Sequence, residues 1–257
     1  MFRRVVLWML ILEVVGSLVV LAQQDEEEPL PPPRRTNAPK IGGALGFTQD
    51  ILFLNLDPIN EVLLKSNAAP FSGNAILLTG GQGYGYVMVV NNLRIGGTWA
   101  GGTRKSTSIE YQTQIQRDVE LSAGYGGVTI DYVIPVVPRL DVALGGLLGG
   151  GGVSFKMSLN QRNARLWGDI WSNYVSGQPA NEYTTKLSGS FFIYQPSVKL
   201  EYAVLRWLGV RAGVSYLGMS GSNWKQDDQF DLAGVPDAIS GKGWMINGGI
   251  FIGTFIF

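Results

Sequence analysis

The sequence predicts an all-β protein, a closed antiparallel eight-stranded transmembrane β-barrel with short helices in its long loops. Three observations carry this prediction. From residue 41 to the C-terminus, apolar and polar residues alternate, as they do in strands with one apolar face. The connections between the alternating runs are short and long in turn, as in barrels that cross a membrane. Only 16% of the 257 residues are charged whereas 46% are hydrophobic, a low charge content for a soluble protein.

The alternating runs define eight strands. Tight turns join the second strand to the third, the fourth to the fifth and the sixth to the seventh, and longer segments make the other connections. A tilted transmembrane strand needs ~9–11 residues, which most of these runs provide. The predicted strands lie at about residues 41–49, 75–90, 92–112, 118–135, 139–158, 188–204, 206–219 and 243–257.

Two groups of glycines need their own interpretation. The stretch TGGQGYG resembles a phosphate-binding loop, but its glycines lack the G-x-G-x-x-G spacing and the residues after it alternate like a strand. We therefore interpret these glycines as strand residues. At residues 126–127 a glycine pair coincides with a change in the apolar positions, which are odd before it (Val119) and even after it (Val128). This change of parity predicts a β-bulge.

The two faces of the predicted strands differ in chemistry. One face carries mainly Gly, Ser and Thr with single charges, and the other is apolar and aromatic. This favours a polar barrel interior and a lipid-facing exterior; the alternative is a soluble β-sandwich whose polar face meets water. The charges balance in sign, as buried charges must. The predicted interior charge network is Arg94, Glu120, Asp131, Asp141, Lys156, Lys199, Glu201 and Arg211, and the predicted aromatic girdles are Tyr84, Trp99, Tyr111, Tyr125, Tyr132, Tyr194, Tyr202 and Tyr216.

The first forty residues differ from the rest in composition. Residues 1–22 have a basic start, an apolar run and small residues before a cleavage point after Ala22, which predicts a signal peptide. An uncleaved membrane anchor is the alternative, disfavoured by Glu13 within the apolar run. Residues 23–40 are rich in Glu and Pro and predict an extended linker.

The first long loop, residues 50–74, is too apolar for a solvated tip. Asp57 followed by Pro58 predicts a helix start, with Asp57 as the N-cap and Pro58 at the first helical position. We expect this short helix to fold against the barrel as a lid or plug. The residues predicted to form that lid or plug are Leu54, Asp57, Pro58, Ile59, Val62 and Leu63.

The composition argues against catalysis. The chain contains no histidine and no cysteine, which removes the usual general base and thiolate ligands. The acidic residues of the 225–237 loop lack the spacing of a calcium loop. A formal net charge of zero provides no basic surface for nucleic acid. We therefore expect a non-enzymatic protein with no catalytic, cofactor-binding or metal-binding residues and no nucleic-acid partner.

The alternating strands and the aromatic C-terminus resemble the small eight-stranded outer-membrane β-barrel proteins of Gram-negative bacteria, the class of the OmpA and OmpX transmembrane domains. The aromatic residues Phe251, Phe255 and Phe257 are similar to the C-terminal signal read by the barrel-assembly machinery. The resemblance implies outer-membrane localisation with a periplasmic N-terminus, contact with outer-membrane lipid, and the barrel-assembly machinery as a partner during biogenesis. The repeated Gly-Gly pairs depart from that class and are consistent with a divergent group.

Three functions remain open from the sequence. The first is structural support of the envelope or surface contact through the long loops, with an unknown surface ligand. The second is a carrier or receptor for a small hydrophobic ligand in the lumen under the 50–74 loop. The third is a soluble secreted β-barrel that binds a ligand. A loop helix over an empty cavity would favour the second function, whereas a packed charged lumen would favour the first.

Overall fold

The computed structural model describes residues 42–161, 167–176, 183–236, 239 and 241–255. The predicted signal peptide (1–22) and linker (23–40) lie outside the described residues, as does Phe257. Two helices are described, α1 (Asp57–Lys65) and α2 (Trp167–Ser176). Neither of these helices has the length and apolar character that a membrane-crossing helix requires.

The described residues contain nine strands. Eight of them form a closed antiparallel ring in which each strand pairs with its neighbour in sequence, β9 pairs with β7, and β1 pairs with β9 to close the ring. The two-residue β8 extends only β7. The predicted eight-stranded antiparallel barrel is therefore confirmed. The strands are β1 (Gly43–Leu54), β2 (Ala75–Tyr86), β3 (Leu93–Glu110), β4 (Ile115–Val137), β5 (Leu140–Gln161), β6 (Tyr183–Ala203), β7 (Leu208–Gln226), β8 (Phe230–Asp231) and β9 (Gly243–Gly253).

The two ends of the barrel differ in their connections. Short turns at residues 87–92, 138–139 and 204–207 define the short-turn end, where β1 also begins and β9 ends. The opposite, long-loop end carries the connection with α1, the connection with α2 and the segment between β7 and β9. It also carries the turn at residues 111–114 between β3 and β4, where the prediction of a longer connection is wrong. Strands β1, β2 and β9 contain 12, 12 and 11 residues, close to the length needed to span a bilayer. Strands β3 to β7 contain 18 to 23 residues and continue beyond that length at the long-loop end.

The β-bulge predicted at Gly126-Gly127 is wrong. Both residues pair in unbroken register, with Trp99 and Thr98 of β3 on one side and with Gly150 and Gly149 of β5 on the other. The register shifts instead between residues 135 and 137 of β4 and between residues 190 and 192 of β6. The strand therefore keeps its faces at the glycine pair. What changes there is the chemistry of each face.

Each long strand passes through two halves of the barrel with opposite polarity. In the short-turn half the outer face is apolar, and its exposed side chains include Leu45, Phe47, Ile95, Trp99, Val128, Ile130, Leu148, Val198, Leu200 and Ile250. On β3, β4 and β5 the outer face of the long-loop half is polar, with Thr103, Lys105, Thr107, Glu120, Ser122, Ser154 and Lys156. The buried interior of that half is apolar and includes Leu52, Ile76, Leu78, Val119, Leu121, Val153, Phe155, Ile193, Leu217 and Trp224.

The aromatic girdle prediction needs a correction. Tyr84 and Tyr125 are 9% and 7% exposed and point into the barrel, where their hydroxyl groups bind carboxylates. Trp99, Tyr132, Tyr194 and Tyr202 are exposed on the apolar outer face, as the girdle prediction requires. Tyr111 lies in the turn between β3 and β4, and Tyr216 packs edge-on against Trp244. A tyrosine can serve either face because its ring is apolar and its hydroxyl is polar.

Candidate functional site

A buried charge cluster fills the interior of the short-turn half. Glu201 of β6 accepts hydrogen bonds from Arg94 of β3, at 3.1 Å between Nη1 and Oε1, and from Arg211 of β7, at 2.9 Å between Nε and Oε2. Lys199 donates to both oxygens of Asp131 at 3.1 Å. The Arg94 Nε atom lies 3.5 Å from Asp131 Oδ2 and joins the two pairs. Five of the predicted network residues therefore meet at one place.

Aromatic and amide groups surround this cluster. The hydroxyl of Tyr84 donates to Glu201 at 2.9 Å, and the Arg94 guanidinium lies 4.3 Å from the centre of the Tyr84 ring. The Arg211 guanidinium lies 4.0 Å from the ring of Phe251 and donates to Gln82 Oε1 at 2.8 Å. Each charge thus has an opposite charge, a hydrogen bond or an aromatic face beside it. Such partners are what make the burial of charge tolerable.

Three predicted network residues lie elsewhere. Glu120 faces outward and pairs with Lys105 at 2.8 Å, and Lys156 is exposed on the same outer face, so their assignment to the interior was wrong. The physical reason is the reversal of polarity: in the long-loop half the polar face points outward. Asp141 lies on the interior side near the short-turn end, half-buried and in register with Glu201.

A second polar layer lies above the charge cluster and was not predicted. Asp50 of β1 accepts hydrogen bonds from the hydroxyl of Tyr125, at 2.6 Å, and from the amide of Asn247, at 2.9 Å. Asn247 in turn accepts from Ser215 at 2.8 Å, and Ser215 accepts from Gln195 at 2.8 Å. The remaining space is a cavity of about 30 Å³, enough for one or two water molecules. These polar layers fill the lumen of the short-turn half, as expected for eight strands.

The 55–74 segment enters the mouth of the barrel at the long-loop end. Side chains on the inner face of β3 bind this segment: Ser106 donates to the carbonyl of Ala69 at 2.6 Å, and Arg104 donates to the hydroxyl of Ser72 at 3.4 Å. Within the segment, Asn60 of α1 accepts a hydrogen bond from the Phe71 N–H at 2.8 Å. This segment is therefore fixed to one side of the mouth by hydrogen bonds to a neighbouring strand.

The predicted lid or plug residues occupy different positions in this segment. Leu54 and Leu63 are buried in the apolar interior, and Ile59 packs against it. Val62 is 49% exposed and lies beside the cavity described next. The helix begins at Asp57, so the prediction of Asp57 as the N-cap is wrong by one residue. Asp57 donates its N–H to the Asn55 side chain at 3.2 Å, and Pro58 falls within the first turn, where its missing N–H costs nothing.

A cavity of about 510 Å³ lies under α1, inside the long-loop half. Its size falls in the range of pockets that enclose small organic ligands. Phe155 and Trp224 form an aromatic part of its wall, with ring planes 16° apart and centres separated by 6.3 Å. Other apolar residues complete the lining: Ile59, Val62, Leu63, Ala68, Val119, Met157, Leu159, Leu187, Leu232, Ala233, Val235, Pro236 and Ile239.

Ion pairs also lie on the polar outer face of the long-loop half. Lys186 donates to Asp228 at 2.9 Å, and Ser188 donates to the other Asp228 oxygen at 2.7 Å. The hydrogen bond from Lys186 is the main reason why the pKa of Asp228 lies below its ordinary value. The hydrogen bond to Glu120 likewise raises the pKa of Lys105. These pairs are solvated, so each contributes little to stability.

The predicted C-terminal signal is divided between two environments. Phe251 is fully buried inside the barrel against Arg211 and Tyr84, whereas its neighbours Ile250 and Ile252 are exposed on the outer face. Phe255 follows β9 and packs beside this inner cluster. The predicted role in assembly remains a prediction. Among the residues that the structure describes, no group of three or more carboxylates is placed to hold a metal ion.

No family model matches this chain, and no curated protein matches it. Among solved structures, Ail of Yersinia pestis is similar at 12% identity over 83% of this chain and 99% of Ail, with a TM-score of 0.42. The outer membrane protein OprG of Pseudomonas aeruginosa is 10% identical over 84% of this chain and 96% of OprG, with a TM-score of 0.39. The outer membrane protease OmpT of Escherichia coli is 9% identical over 85% of this chain and 98% of OmpT, with a TM-score of 0.28. At these TM-scores the likenesses carry no inference about function, and the barrel assignment rests on the closed strand pairing.

Proposed function

We propose that this protein is a non-enzymatic outer-membrane barrel that binds a small hydrophobic ligand in the cavity under α1. The observation that carries the proposal is the cavity itself, about 510 Å³ in volume and walled mainly by apolar side chains. An apolar cavity of this size favours binding, because a hydrophobic ligand that enters it removes its apolar surface from water.

The outer surface supports a place in a membrane. Around the short-turn half, exposed apolar side chains form a belt on the part of the sheet where eight strands close the ring. A belt of this kind on a barrel is suited to lipid rather than to water. Cell fractionation with boiled and unboiled gel samples tests this part. Recovery of the protein in the soluble fraction, without a heat-dependent change in mobility, would overturn it.

The filled lumen of the short-turn half supports binding of a ligand in the cavity rather than its transport through the barrel. A ligand in the cavity meets the layer of Asp50 and Tyr125 and then the charge cluster around Glu201. These layers leave only about 30 Å³ of space. The packed charges also favour the second candidate function, structural support of the envelope, which needs no ligand. Ligand binding decides between the two candidates.

The ligand proposal is tested with N-phenyl-1-naphthylamine, a neutral fluorescent probe, and the full chain in lipid nanodiscs. We expect saturable binding that Val62→Glu weakens at least tenfold, or about 1.4 kcal/mol, because a carboxylate then borders the apolar space. Leu64→Glu is the matched control, since Leu64 is 59% exposed on the same helix and lies outside the cavity lining. Equal signals from the native chain, both variants and empty nanodiscs would overturn the proposal and leave the structural role.

A further inference from the structure

The charged groups at the large cavity are already engaged. Among the lining residues that the structure describes, Arg117 and Asp118 are the ones that carry a charge. The Arg117 Nη1 atom lies 3.3 Å from Glu110 Oε2. The two oxygens of Asp118 accept hydrogen bonds from Thr107, at 2.7 Å, and from Gln116, at 2.8 Å. Arg117 therefore already faces a counter-charge, and the carboxylate of Asp118 adds a negative charge that disfavours an anionic ligand.

The two serine hydroxyl groups among the described lining residues are also engaged. Ser66 donates to the Val62 carbonyl within α1 at 2.9 Å, and Ser158 accepts from Thr184 at 3.3 Å. Tyr183 is 55% exposed, so water reaches it. Deeper in the cavity the wall is apolar, with Phe155 and Trp224 at one side. An ionised group placed there would lose its hydration without gaining a partner, so it would bind weakly or have to become neutral.

We infer that the cavity selects electrically neutral lipophilic molecules and excludes anionic compounds of the same shape. This inference rests on the proposed function, because it assigns the ligand class of the same cavity. The basis of selection is the pairing of Arg117 with Glu110, the negative charge of Asp118 and the apolar wall around Trp224. A fatty-acid-like or sulfonated ligand would have to keep its charged group outside the cavity and lose part of its contact with the wall.

A matched pair of probes tests the inference. N-phenyl-1-naphthylamine and 8-anilinonaphthalene-1-sulfonate share one ring system, and the second carries a sulfonate. Both are titrated against the full chain in nanodiscs, with probe fluorescence as the readout and empty nanodiscs as the blank. We expect the neutral probe to bind at least tenfold more tightly. Equal affinities would overturn the inference while leaving the proposed function intact, and binding of neither probe would overturn both.

A gain of binding tests the cause of selection. Val62→Lys places a cation beside the cavity at a position that is already half-exposed, so the helix and barrel are expected to fold normally. We expect this variant to bind the sulfonated probe about tenfold more tightly than the native chain does, since the missing counter-charge is then present. Leu64→Lys adds the same charge outside the cavity and should leave the affinity unchanged. A gain of the same size in Leu64→Lys would place the sulfonated probe on the outer surface and overturn the assignment of selectivity to the cavity.

Discussion

The two halves of this barrel use the same strand alternation with opposite polarity. On β4, Val128 and Ile130 of the short-turn half face outward, whereas Val119 and Leu121 of the long-loop half face inward. No register shift separates the two groups. Apolar surface lies where water is excluded, so the outside of the short-turn half fits lipid and the outside of the long-loop half fits water. The difference shows that one continuous strand can have an apolar outer face in one half of the barrel and a polar outer face in the other.

The largest expected effect concerns the charge cluster of the short-turn half. Glu201→Gln removes the carboxylate that Arg94 and Arg211 share, and it leaves two buried cations without their main partner. We expect a loss of about 3–5 kcal/mol in the free energy of unfolding, measured by urea titration in lipid vesicles. The control is Glu120→Gln, which breaks a pair on the outer face of the long-loop half, where Lys105 is 71% exposed. It should cost less than about 1 kcal/mol, and equal losses would contradict the contrast between the two regions.

A smaller effect is expected on the outer surface. Val198→Arg places a charge in the apolar belt of the short-turn half, where Val198 is 55% exposed. If that belt faces lipid, the free energy of unfolding should fall by about 2–4 kcal/mol. Ser190→Arg, on the outer face of the same strand toward the long-loop end, should change it by at most about 1 kcal/mol. A neutral result for Val198→Arg would mean that the belt does not lie in the hydrocarbon.

The smallest effect concerns the turn at residues 227–229. Because Lys186 and Ser188 hold the pKa of Asp228 below its ordinary value, the ionised carboxylate supports this turn at neutral pH. That support is complete above the ordinary carboxyl pKa and is lost as the pH falls through the lowered one.

A spin label at Gln229 can follow this change. We expect its mobility to rise only under strongly acidic conditions in the native chain, and to be raised at every pH in Asp228→Asn. A mobility change centred between about pH 5 and 7 would lie well above the range of a carboxyl group whose pKa is lowered, and would point to another titrating group.

The barrel could be predicted from the sequence, but which face of each strand points into the barrel could not. A period of two residues identifies a strand, and it is the same whether the apolar face points to lipid or to a core. Alternation places Glu120 and Lys156 in the interior only if the polar face points inward along the whole strand, and in the structure both lie on the outer face. In the short-turn half the polar face does point inward, so alternation correctly predicts interior residues such as Arg94 and Lys199.

The cavity was less predictable than the strands. Its wall combines Val62 of α1, Trp224 of β7 and Val235 of the segment after β8, which are far apart in sequence. No local pattern encodes the space left between such segments, because that space depends on how closely they pack. The apolar residues of the 50–74 loop predicted a buried segment. They did not indicate on which side of it space would remain.

The unequal strand lengths have a consequence for variation of this protein. Since β1, β2 and β9 stop early, strands β3 to β7 form most of the rim at the long-loop end, and the 55–74 segment closes the gap. The ends of that segment meet where the Leu54 N–H donates to the Asn74 carbonyl at 2.7 Å. The closing piece is therefore a cassette: it leaves and re-enters the sheet at one point, and its length or sequence can change without altering any strand pair. Exchange of this cassette offers a route to new ligand preferences on an unchanged barrel.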